Sequence, residues 1–127
     1  MPIRTELNLR LPNSPGALGG VCRVLSDERV NILAMALETS GQLRLVVDNH
    51  VSGAAALRSQ HHQVTEKEVL LVTVPNGPGA VVPSLNLLSD AGGNLDYAYA
   101  SAAEGAATAA LVLGVEDAQR IAARSGL

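Results

Sequence analysis

The sequence predicts an α+β fold made of two consecutive copies of one small unit, each an antiparallel sheet with helices on one face. Three observations lead there. The chain repeats itself at a constant offset of 63 residues; apolar residues recur with period two in some runs and with helical spacing in others; and the order of those runs is the same in both halves. With 127 residues, 47% apolar and 17% charged, the chain has the size of one or two small domains. A chain of this length buries roughly two-thirds of the surface it exposes when unfolded, enough for one shared core or two thin ones.

The repeat is read most directly from Pro12-Asn13-Ser14-Pro15-Gly16-Ala17 and Pro75-Asn76-Gly77-Pro78-Gly79-Ala80. At the same offset Leu25-Ser26-Asp27 meets Leu88-Ser89-Asp90, Asn31 meets Asn94 and Ile32 meets Leu95. Nine of the 21 positions 12–32 are identical to their counterparts, where average composition gives roughly one or two by chance.

Residues 3–11 alternate Ile3, Thr5, Leu7, Leu9 and Leu11 with Arg4, Glu6, Asn8 and Arg10, the period of a strand with one dry and one wet face. After the Pro-Gly loop, Leu18, Val21, Cys22 and Leu25 form an i, i+3, i+4, i+7 stripe, which predicts a helix ending near Glu28. On that stripe Cys22 is expected to pack in the core as a small apolar residue. Runs 31–39 and 42–49, joined across Ser40 and Gly41, predict an antiparallel hairpin, and 52–60 a short Ala-rich helix. Residues 62–74 are long enough for a closing strand of the first copy that runs straight into the opening strand of the second. The second copy then repeats strand (69–74), helix (81–91), hairpin (94–102 and 106–114) and helix (116–124). Only Ser125, Gly126 and Leu127 follow, so it lacks a last strand, and one sheet edge is expected to be left for another chain.

Several function classes are excluded at this stage. The single Cys22 has no internal disulfide partner, and Arg4, Glu6 and Arg10 interrupt any leader-like apolar run, so a reducing cytoplasm is the expected setting. The longest apolar run, 109–115, holds about seven residues against the ~20 that span a bilayer, and no membrane is expected. Twelve acidic against nine basic residues, no basic cluster and neither Phe nor Trp argue against nucleic acid. His50, His61 and His62, with Glu66 and Glu68, raise a metal reading, but adjacent histidines on a strand point to opposite faces, and no metal site is expected. No nucleophile–base pair or phosphate-binding glycine motif is present, so no catalytic residue and no cofactor is expected.

Strand, Pro-Gly-small-apolar loop and helix, then an Asn-apolar start to the second strand, resemble the ACT domain, a ferredoxin-like βαββαβ module that binds small molecules. The residues that carry the resemblance are Leu11 through Leu18 with Asn31-Ile32, and Val74 through Val81 with Asn94-Leu95-Asp96-Tyr97. It covers nearly the whole chain and is similar to stand-alone tandem ACT proteins that lack a catalytic domain. Ser14 and Gly77 stand where the family usually has an acidic residue before Pro-Gly. The resemblance implies two units, 1–66 and 67–127, and a regulatory or sensor role exercised through unit or subunit interfaces. It also implies an amino acid held between the first loop of one unit and the second strand of a neighbour. The alternatives are a trans-acting regulatory subunit docked on an amino-acid biosynthetic enzyme, and an enzyme on the same scaffold. A phosphate-hydrolysing version of the latter needs an Arg in the loop, which neither 12–18 nor 75–81 contains.

The residues themselves give a separate reason to expect a ligand at the loops. Gly16 and Gly79 let the backbone come close, and a helix start presents unpaired N–H groups and a positive dipole end that suit a carboxylate. Candidate ligand residues are Asn13, Ser14, Pro15, Gly16, Ala17 and Leu18 with Asn31 and Ile32, and Asn76, Gly77, Pro78, Gly79, Ala80 and Val81 with Asn94 and Leu95. Asn, Ser, Pro and Gly also make ordinary turns, and the duplication is what favours a ligand. Tyr97 and Tyr99, on one strand face, either fill the core or wall a pocket or subunit contact. Strands 31–37, 69–74 and 109–114 are apolar on both faces, whereas helices cover one, so either the two copies pack sheet on sheet or a second chain covers the open face, and a homodimer is expected.

Overall fold

The computed structural model describes residues 2–127. Its elements are β1 (Ile3–Arg10), α1 (Ala17–Asp27), β2 (Ile32–Leu37), β3 (Gln42–Val47), α2 (His50–Ser59), β4 (Thr65–Pro75), α3 (Val82–Asp90), β5 (Leu95–Ser101), β6 (Thr108–Val115) and α4 (Ala118–Ser125). By contacts the chain divides into residues 5–67 and, with residues 2–4, residues 68–127. Both units are ferredoxin-like α+β folds with antiparallel sheets. Among the described residues no helix is long and apolar enough to cross a membrane.

In the first unit the strand order is β2-β3-β1-β4. The register sets Leu7 opposite Leu45 and Leu9 opposite Leu43, so the alternation read in the sequence places these leucines on one face. That face meets Val21 and Leu25 of α1 and Ala54 and Leu57 of α2 in one apolar cluster. Gly53 is what lets α2 settle there: a Cβ at that position would already touch Leu7, Val47 and Leu25 at 3.3–3.5 Å. Both helices stop by the same device. Arg29 and His61 take positive φ, and the next residue's N–H reaches back to Leu25 O (2.9 Å) and Leu57 O (3.1 Å). Cys22 departs from expectation: it is half-exposed, because the buried line of α1 runs through Val21 and Leu25 and Cys22 lies to one side of it. Strand β2 lies at the edge of the sheet, and Met35 and Leu37 are 46% and 47% exposed.

In the second unit the order is β1-β4-β6-β5. Leu70 faces Leu113 and Val72 faces Leu111, and these pack with Leu88 of α3 and Ala118, Ile121 and Ala122 of α4. Among the described residues α4 is the last element. The place of a strand after α4 is filled by the start of the same chain: the Leu71 N–H donates to Pro2 O at 2.8 Å, and Ile3 packs against the cluster. The expectation that this edge waits for another chain is thereby corrected. The reason is length, since β1 and β4 each extend beyond what the first unit uses. Tyr97 and Tyr99 lie opposite Gly114 and Val112, on the face away from Leu111 and Leu113, with ring centroids 6.3 Å apart and nearly parallel. Gly114 leaves room for the Tyr97 ring, which a Cβ would strike. The two rings therefore cover the helix-free face and do not fill the helix-side core.

Candidate functional site

Strand β1 ends at Arg10, and the loop after it folds tightly before α1 begins. Ser14 N–H bonds Pro12 O at 2.9 Å, Ala17 N–H bonds Ser14 O at 3.3 Å, and Gly16 sits at φ 84°, a left-handed conformation that favours glycine. No side chain caps α1. Among the described residues the Leu18 and Gly19 N–H groups have no protein acceptor, so the positive end of the helix is left open. The contrast with the helices that follow the hairpins is direct: Asn49 caps α2 by accepting from Ser52 N–H at 3.1 Å, and Asp117 caps α4 by accepting from Arg120 N–H at 3.2 Å.

The β2–β3 turn forms the other wall. Leu11 N–H bonds Gly41 O at 2.8 Å, and Gly41 lies so close to Leu11 O that a Cβ would collide with it. Arg10 holds the turn from the side, its Nη1 donating to Ser40 O at 2.7 Å. Between loop and turn lies a cavity of about 480 Å³ lined by Leu11–Ser14, Gly16–Gly19, Leu37–Thr39 and Gly41, a size suited to a small metabolite. Helix N–H groups without a protein acceptor stand at its loop end, and Glu38, whose carboxylate pairs with Arg44, is part of the turn wall.

Of the residues predicted for the first site, Asn13, Ser14, Gly16, Ala17 and Leu18 line this cavity, and Pro15 does not. Asn31 and Ile32 lie at the opposite end of β2, in a separate depression with Cys22, Ser26, Arg29 and Val30. There Asp48 brackets the Asn31 backbone, accepting from its N–H at 2.9 Å and donating to its carbonyl at 3.0 Å. Leu37, Glu38, Thr39 and Gly41 were not anticipated. Their one sequence signal is the hairpin turn, which gives no hint that it folds back beside the Pro-Gly loop.

The second loop has the same local form but other partners. Gly79 is at φ 70°. Asn76 Nδ2 donates to Ala103 O and Ala106 O, both at 2.9 Å, and Asn76 N–H to Ala107 O at 3.1 Å. Gly77, Pro78 and Val81 are exposed and Ala80 is half-buried. Asn94 is exposed and Leu95 is 42% exposed at the start of β5, while the hairpin that Asn76 meets follows the end of that strand. Among the described residues no group of three or more His, Cys, Asp or Glu is placed to hold a metal ion.

The first unit is thus a ferredoxin-like fold with a cavity between its Pro-Gly loop and its hairpin turn. Residues 5–66 match the model of the ACT domain family. No curated protein matches the sequence. Among solved structures the chain is similar to protein BT0572 from Bacteroides thetaiotaomicron, with 28% identity and a TM-score of 0.82 over 94% of this chain and 84% of that one. It is similar to the regulatory subunit of aspartate kinase from Thermus thermophilus, with 13% identity and a TM-score of 0.71 over 99% of this chain and 91% of that one. It is also similar to E. coli aspartokinase III, crystallised with lysine and aspartate, at 16% identity and a TM-score of 0.57 over 94% of this chain and 29% of that one.

Proposed function

We propose that this chain is a tandem ACT protein that binds a small amino acid at the first loop and passes its occupancy on through a subunit interface. The observation that carries the reading is the cavity itself, with open N–H donors at the start of α1 and Glu38 in the opposite wall. Such a pair suits a zwitterion: the carboxylate of an amino acid meets the helix start and its ammonium meets Glu38. The internal repeat and the matching order of elements support reading the second unit as a second ACT copy, with the units taken as 1–66 and 67–127 in sequence.

A second copy of the chain is the expected partner. Edge strand β2 is apolar throughout, with no charge or proline to blunt it, and exposes Met35 and Leu37. In the family's mode, a ligand shared between the first loop of one unit and the second strand of a neighbour gives Asn31 and Ile32 their role from across such an interface. The ligand then favours one arrangement of the subunits, and coupling of about 1–3 kcal/mol is typical of such linkage. Docking on an amino-acid biosynthetic enzyme is the second reading, favoured by the likeness to regulatory parts of aspartate kinases.

Thermal unfolding against the twenty amino acids at about 10 mM tests the ligand. A binder present at 100 times its Kd adds ~2.7 kcal/mol and raises the midpoint by several degrees. A flat panel moves the weight to the docking reading. Sedimentation that gives only the 13.1 kDa monomer removes the dimer.

A further inference from the structure

The two Pro-Gly loops begin from nearly the same residues, yet their polar groups are differently engaged. We propose that the chain has one ligand site, at the first loop, and that Asn76 latches the second loop onto its own hairpin so that it takes no ligand. This rests on reading the first cavity as the ligand site.

Three observations converge. Both hydrogens of the Asn76 amide are matched to hairpin carbonyls, those of Ala103 and Ala106, and its backbone N–H bonds Ala107 O. Its counterpart Asn13 lines the open cavity, and its side chain makes no hydrogen bond among the described residues. The β5–β6 connection, residues 102–107, is two residues longer than the β2–β3 connection, 38–41, and that longer turn is where the accepting carbonyls come from. The helix starts differ only in which groups are open. Among the described residues the N–H groups without an acceptor are those of Leu18 and Gly19 in α1, and in α3 those of Val81 and Ser84, because Val82 N–H is taken by Gly79 O at 3.1 Å and Pro83 has none. An occupant of the second loop would have to displace the three hydrogen bonds of Asn76.

Hydrogen exchange tests the latch without a ligand. Asn76→Ala is expected to speed amide exchange across 102–108 by about tenfold, as loss of two exposed hydrogen bonds implies. Asn13→Ala should leave 38–42 unchanged. Equal rates in wild type and Asn76→Ala overturn the latch. Isotope-labelled protein is then titrated with each of the twenty amino acids. Shifts confined to 13–19 and 37–41 support a single site, and shifts that also reach 76–82 and 102–107 overturn it. If no amino acid moves any resonance, the amino-acid reading fails while the exchange result still decides the latch.

Discussion

In the first half of the chain the Pro-Gly loop opens onto a cavity with free helix N–H groups and an acidic far wall; in the second half an equivalent loop closes onto its own hairpin through Asn76. The shared residues Pro-Asn, Pro-Gly-Ala and a positive-φ glycine fix the turn in both cases. What differs is the surroundings: two more residues in a hairpin, whose carbonyls take up the Asn76 amide. A motif thus specifies the shape of a loop, while its neighbours determine whether polar groups remain for a ligand.

The largest test of the comparison addresses the shared part. Leu25 and Leu88 occupy equivalent repeat positions and are 0% and 2% exposed, so Leu25→Ala and Leu88→Ala should each cost about 2–5 kcal/mol in urea unfolding. A cost below about 1 kcal/mol for either would break the structural equivalence of the halves, since burial like this ordinarily forbids it. Next, deletion of residues 2–4 removes the strand borrowed by the second unit and should cost on the order of 2 kcal/mol, from lost hydrogen bonds and Ile3 burial. Exchange should rise first around Leu71, and faster exchange confined to 5–67 would contradict the assignment of that strand.

The remaining tests sharpen the difference between the loops. Gly16→Val forces a branched side chain into φ 84°, and Gly79→Val into φ 70°; each should cost about 1–2 kcal/mol of stability. Only Gly16→Val should abolish amino-acid binding in calorimetry, and loss of binding in Gly79→Val would restore the symmetry of the two loops. Glu38→Gln keeps the shape of the turn and should weaken binding about tenfold, the scale of one charge-assisted hydrogen bond. The smallest effect belongs to the capped helices. Asn49→Ala should cost ~1 kcal/mol of stability by removing the α2 cap while leaving ligand affinity unchanged.

The sequence was informative where a pattern is local. Alternation in 3–11, the Leu18-Val21-Leu25 stripe, the hairpin turns and the repeat each report a period or a turn, and the ten elements follow in the order read. Asn13, Ser14 and Gly16, which line the cavity, could be singled out because turn residues ahead of a helix carry their own chemistry. Glu38 and Thr39 were not, because their place beside the loop depends on β1 pairing with β3, a contact no periodicity encodes. Cys22 was misplaced for a related reason: helical spacing gives a stripe, but the packed sheet decides which line of it is buried.

By itself, then, the sequence determined the duplication, the α+β class and the two Pro-Gly turns, since these follow from side-chain period and backbone preference over a few residues. Tertiary structure alone decided that residues 2–4 complete the second unit, that a hairpin turn walls the first cavity, and that Asn76 reaches carbonyls 27 and 30 residues away. Those outcomes depend on strand register and loop length across the sheet, where partners distant in the chain are chosen by which hydrogen bonds and buried surfaces can be satisfied together.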